Sequence, residues 1–196
     1  MNINEPLTTP DNYQVVIADE RDIAYAVYQK DDSKLWSPRA ALESLREGGE
    51  AVRIWMDILK GGLPSFAKAQ TVHNIVPSVL RNSLASLISG TTVTPTFKAN
   101  YFALGTGNTA PTNSDTQLQT ETLRALFTNR SAFTNIAYLD VFFSAVQVGG
   151  NTYQEAGIFV DGTGSANSGY LLSRVALNQT LGASQTLTVN CSITIS

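Results

Sequence analysis

From Leu187 to Ile195 every odd position is apolar (Leu187, Val189, Cys191, Ile193 and Ile195), and every even position from 186 to 196 is Ser, Thr or Asn. Side chains on a strand alternate between two faces, whereas on a helix these residues would scatter around the axis. The pattern therefore predicts an antiparallel strand with one buried and one solvated face, and it puts Cys191 on the buried side. An isolated strand of this kind is unstable, so the rest of the chain has to supply neighbours and a layer to cover the apolar face.

The C-terminal half supplies them. Lys98–Leu104 reads as a strand, and so does Thr134–Val148, where Ala137, Leu139, Val141, Phe143 and Ala145 share one face. Gly149-Gly150-Asn151 reads as a hairpin turn leading to a returning strand over Tyr153–Val160, and a further strand is expected at Tyr170–Leu177. Composition agrees with this reading. Residues 99–196 hold only 8 of the 29 charged side chains, while Ser, Thr, Asn and Gln make up 38 of those 98 residues. Hydroxyls and amides, rather than ions, solvate the strands and turns. Several strands with turns every ten or so residues predict an α+β chain whose residues 98–196 form an antiparallel β-sandwich of jelly-roll-like kind.

Residues 1–36 read as an extended arm with short strands at Tyr13–Ala18 and Ile23–Gln29. Residues 37–97 read as a helical docking region. Ser37-Pro38 is a helix opening, Gly48-Gly49 a break, and Val52, Trp55, Met56 and Leu59 form a 3-4 stripe ending at Gly61-Gly62. A third helix follows Pro77, with Val79, Leu80, Ser83, Leu84, Leu87 and Ile88 on one stripe until Gly90. The Val52–Leu59 stripe is the expected docking surface toward neighbouring proteins. On the sandwich, Tyr138 and Phe142 share the face opposite the core and are the candidates for an exposed aromatic platform.

Composition also excludes functions. A net charge of −3 over 196 residues argues against a protein that grips nucleic-acid phosphates or a polybasic membrane anchor. The N-terminal MNINEPLTTPDNYQ has neither the basic start nor the apolar run of a signal peptide, and no stretch is apolar enough for a membrane helix. One Cys and one His allow no intrachain disulfide, no Cys/His zinc centre, and little scope for Ser-His-Asp or Cys-His catalysis. GTGNTAP at 105–111 lacks the Lys-Ser/Thr that a phosphate loop needs, and reads as turn chemistry. Asp19, Glu20, Asp22 and Asp31-Asp32 read as a solvated acidic face rather than a calcium site. His73 reads as a hydrogen-bonding residue ahead of a helix, and Asp140 with Glu155 lacks the context of a glycosidase pair. No catalytic residue, cofactor or metal is expected. In a half so poor in charge, Glu121, Arg124, Glu155 and Arg174 are expected to form at least one partly buried ion pair that orders the loops.

These residues also carry a resemblance. Tyr101–Pro111 (YFALGTGNTAP), Asp115-Thr-Gln-Leu118, Glu121 with Arg124, Gln154-Glu-Ala-Gly-Ile-Phe159, Leu171-Leu-Ser-Arg174 and the alternating terminal strand occur in this order. Together they resemble a module of tailed-bacteriophage virion proteins with an "aliphatic-GTG-x-TAP … D-T-x-L … E-x-x-R" opening. His73-Asn-Ile-Val76 resembles the segment preceding that module's helix, so the likeness spans about residues 73–196. Gln154 stands where the family usually has Arg, and Cys191 where a large residue is common. The resemblance implies a non-enzymatic structural subunit, made in the host cytoplasm and resident in the virion. It would assemble with copies of itself and other virion proteins in a tail, fibre or neck appendage. The alternatives are a capsid decoration protein and a host-glycan-binding module of a fibre or spike.

Overall fold

The computed structural model describes residues 12–31, 36–73, 75–91 and 95–194. The expected arm over 1–11, Asp32, Asn74, Ile195 and the side chain of His73 lie outside the described residues. The chain combines helices with antiparallel sheets. β1 (Asn12–Asp19) leads into α1 (Glu20–Lys30), α2 (Pro38–Glu47) and α3 (Glu50–Lys60), and then β2 (Lys68–His73) and α4 (Ser78–Ile88). β3 (Ala99–Gly105), β4 (Glu121–Leu126), β5 (Asn129–Phe133) and β6 (Ile136–Phe143) follow. After the short α5 (Ala145–Val148), the chain ends in β7 (Thr152–Val160), β8 (Tyr170–Thr180) and β9 (Gln185–Thr194).

The strands form a five-stranded sheet, β2-β1-β9-β6-β5, and a four-stranded sheet, β4-β3-β7-β8. One apolar core takes residues from both: Tyr13, Val15, Val141, Phe143, Val189 and Cys191 from the first, Phe102, Leu104, Ile158 and Val175 from the second. Neighbouring residues on the same strands of the five-stranded sheet point the other way. Val16, Ala18 and Phe142 pack with Ile23, Val27, Leu45, Val52 and Trp55 of α1–α3 in a second core. The five-stranded sheet is therefore covered on both faces, and the helices form an outer layer on it.

That second layer changes the reading of the C-terminal strand. Its even positions are not uniformly solvated: Thr186 and Thr188 are 1% and 0% exposed. Burial without loss of hydrogen bonding is what makes threonine suitable here. Trp55 Nε1 donates to Thr188 Oγ1 at 2.9 Å, and Thr186 Oγ1 donates to the carbonyl of Ala18 at 3.1 Å.

Four other expectations are corrected. Ile23–Gln29 is helical, because Glu20, Ile23, Ala24 and Val27 form a 3-4 buried stripe and Asp19 caps the helix by accepting from Arg21 N at 2.9 Å. The strand expected over Thr134–Val148 stops at Phe143, where Ser144 opens α5 with a capping box closed by Gln147. Gly149–Asn151 is then no hairpin: β6 and β7 belong to different sheets, and α5 carries the chain between them. Finally, the sheet crosses the boundary drawn at 97/98, since β1 pairs with β9 in the register Tyr13↔Cys191, Val15↔Val189 and Ile17↔Leu187. Asn12–Asp19 is an integral strand of the sheet rather than part of an arm.

Candidate functional site

The outer face of the four-stranded sheet carries two buried charge clusters, and both arise from strand register. Gly105 of β3 lies opposite Glu155 of β7, and Gly157 lies opposite Arg174 of β8. The side chains of Glu155 and Arg174, 1% and 3% exposed, meet above this glycine-lined floor. Arg174 Nε and Nη2 reach Glu155 Oε2 at 2.9 and 2.8 Å, and its Nη1 reaches Asp115 Oδ2 at 2.7 Å. Glycine is required where the carboxylate approaches the backbone. A Cβ on Gly107 would lie 2.5 Å from Glu155 Oε1 and also 2.5 Å from the Cβ of Gln119.

Glu155 also receives backbone N–H groups from both ends of the loop between β3 and β4. Gly107 N and Thr120 N donate to Oε1 at 3.1 and 2.6 Å, and Gln119 N donates to Oε2 at 2.9 Å. The glycine-rich segment does present one amide, that of Gly107, to an anion, but the anion is the chain's own carboxylate. Asp115 closes the same loop by accepting from Thr112 N at 2.9 Å. The Asp115 carboxyl is held below its ordinary range. Desolvation, the strongest single influence, pushes it upward but is outweighed by hydrogen bonds from Thr112 and Arg174.

The second cluster depends on a bulge. Leu104 lies opposite Leu123 while Gly105 lies opposite Glu121, which leaves Thr122 as an extra residue on β4. Residues three apart on a regular strand face opposite ways; one extra residue brings Glu121 and Arg124 to the same face. Arg124 Nε and Nη2 donate to Glu121 at 2.6 and 2.8 Å. The guanidinium carbon lies 4.6 Å from the ring centre of Phe159 and 5.3 Å from that of Tyr101. Arg124 Nη1 donates to Thr163 O at 2.9 Å, and Glu121 Oε2 accepts from Asn167 N at 2.8 Å, which ties down the loop between β7 and β8. Thus Glu121, Arg124, Glu155 and Arg174 form two pairs, each fastening one long loop to the sheet.

The other singled-out residues fall elsewhere. Val52, Trp55 and Met56 are 2%, 0% and 4% exposed, inside the helical core, with Leu59 packed against it. They hold the helices to the five-stranded sheet, so the expected docking surface is an internal seam. Phe142 is buried in the same seam and Tyr138 stands alone of that pair at the surface, which removes the expected aromatic platform. Asp140 hydrogen-bonds Asn129 and Asn190 on the five-stranded sheet, whereas Glu155 lies on the outer face of the four-stranded one. The two carboxylates cannot act on one substrate atom.

The N-terminal acidic residues are also accounted for separately. Asp19 caps α1, Glu20 accepts from Arg46 Nε at 3.1 Å, and Asp31 accepts from Trp36 N at 3.0 Å. Among the described residues, no group of three or more His, Cys, Asp or Glu is arranged to hold a metal ion. Cys191 lies in the inter-sheet core at 2% exposure. Sequence reasoning missed Thr188 as the partner of Trp55, and the loop-closing role of Asp115. Thr112 and Asp115 do have the S/T-x-x-D/E spacing in which an acidic side chain reaches back to the backbone N–H three residues earlier. Comparison with protein-family models, with curated proteins and with solved structures returns no match.

Proposed function

We propose that this chain is a non-enzymatic structural subunit of a tailed-phage particle, joining or anchoring components of a tail, fibre or neck appendage. In this reading the two sheets form a sandwich, and the protein is made in the host cytoplasm and works in the virion as a homo-oligomer. The observation that supports it is the use to which the motif residues are put. The GTG-x-TAP, D-T-x-L, E-x-x-R, EAG-aliphatic-F and L-aliphatic-x-R segments converge on two buried ion pairs whose hydrogen bonds go to the chain's own loops. A pattern spent on shaping loops fits a scaffold. The glycan-binding alternative loses its aromatic pair with the burial of Phe142.

The test is location. Density-gradient-purified particles from a host that makes the full-length chain should contain it at a fixed stoichiometry by mass spectrometry, and antibody labelling should place it on an appendage. A chain that stays in the cleared lysate while particles form without it overturns the proposal. Deleting residues 1–72 is an unsuitable probe, because it removes β1, the neighbour of β9, together with α1–α3 and nearly all of β2.

A further inference from the structure

We propose that the groove beneath α4 binds an aliphatic monocarboxylate. The groove has a volume of about 590 Å³ and is lined by α4, by strands of both sheets and by the segment that leads into β3. That size falls in the range of small-molecule sites, roughly 300–1,000 Å³. Its wall is aliphatic and comes from both sheets and the helix: Leu80 and Leu84 of α4, Leu139 of β6, Leu172 of β8 and Ile193 of β9. Leu87, the next α4 residue on this lining, is 50% exposed, so the helix does not seal the groove against solvent.

Charge decides the class of ligand. Arg81, Lys98 and Arg130 all line the groove, and no carboxylate stands among its described lining residues. Arg81 uses one N–H on Ser78 Oγ at 3.2 Å, and Arg130 uses one on the carbonyl of Ala99 at 3.1 Å, so both guanidiniums are oriented while keeping further donors. This concentration of cations occurs in a chain whose net charge is −3. Basic donors around an aliphatic concavity suit a molecule with one anionic head and an unbranched apolar tail. A neutral lipid would leave the remaining guanidinium and ammonium donors without an anionic partner, and a cationic amphiphile would be repelled.

Calorimetric titration of the full-length chain with decanoate, decanol and decyltrimethylammonium, each kept below its aggregation concentration, tests this. Decanoate should saturate a single site, with decanol roughly tenfold or more weaker, as expected for loss of charge-assisted hydrogen bonds. The ammonium compound should give no saturable heat. Arg81→Gln combined with Arg130→Gln should bring decanoate down to the level of decanol. Leu84→Arg should abolish binding while the melting temperature of each variant confirms folding. Equal binding of decanoate and decanol, or undiminished decanoate binding by folded Leu84→Arg, overturns the proposal. Absence of saturable decanoate binding overturns it as well, and a dimer that Leu84→Arg dissolves would then assign the groove to a second copy.

Discussion

Glu155→Gln keeps the shape of the side chain and removes its charge, which makes it a sharp test of how the loop between β3 and β4 is held. The wild-type carboxylate accepts from three backbone N–H groups and from Arg174. An amide in its place turns one acceptor atom into an NH2 that meets N–H donors on either side. Breaking a buried pair by changing one partner costs about 3–5 kcal/mol. Asp115 still faces Arg174 at 2.7 Å and limits the damage to the low end of that range. For a chain of 196 residues, a loss of about 3 kcal/mol lowers the melting temperature by roughly 6–12 °C. Urea denaturation gives the free energy directly, with Arg39→Ala as the comparison. Arg39 and Glu43 form an exposed i,i+4 pair, with side chains 88% and 59% accessible, and their loss should cost no more than about 0.5 kcal/mol. A cost for Glu155→Gln below about 1 kcal/mol, indistinguishable from the surface control, would refute the loop-fastening argument.

Three other expectations can be measured on the same protein. Trp55→Phe removes the 2.9 Å hydrogen bond to Thr188 and strands a buried hydroxyl, so it should destabilise by about 1–3 kcal/mol in chemical denaturation. Gly149→Ala should cost about 1–3 kcal/mol or more, because its Cβ would sit 2.3 Å from the carbonyl oxygen of Ala183, a backbone atom that cannot swing aside. Asp115 has a folded-state pKa below its unfolded value of about 3.9, so its contribution is present above that pH and is lost as pH falls through the folded value. Melting curves between neutral pH and strong acid should therefore fall less steeply on the acid side for Asp115→Asn than for the wild type.

The strands whose apolar positions alternate were legible in the sequence, as were the Ser37-Pro38 opening of α2 and the Gly48 end of that helix. Ser37 Oγ accepts from Ala40 N at 3.2 Å, and Gly48 adopts a left-handed conformation with φ of 74°. The misreadings have physical causes. Ile23–Gln29 satisfies a two-residue period only because Ala24 and Ala26 are small, and the capping signal of Asp19 and the acidic first turn outweighs that pattern. β2 and β5 lie at sheet edges and expose most of their side chains, and the edge strand β4 buries charged Glu121 and Arg124 on one face and breaks its alternation with a bulge, so apolar periodicity had little to mark. Val52, Trp55 and Met56 make an apolar stripe whether the stripe faces a partner protein or the chain's own sheet. What distinguishes the two cases is Val16, Ala18 and Phe142 on strands far away in sequence. The ion pairs were anticipated from the scarcity of charge; their partners in the loops required the register and the bulge at Thr122.

The pairing of β1 with β9 also constrains the order in which the molecule can be completed. Strands from opposite ends of the chain lie side by side at the centre of the five-stranded sheet, with Asn12 beside Ser192. During synthesis the place beside β1 stays vacant until β9 has been made, so this layer of the sheet cannot close before then. Such distant contacts carry a high loop-closure cost before they are rewarded, which places this fold among the slower ones. The same arrangement brings the two ends of the described chain to one edge of the molecule. A short linker between them would make a circle, and cutting that circle at the exposed Thr163–Ala166 loop should yield a permuted chain in which β9 and β1 emerge together and pair early.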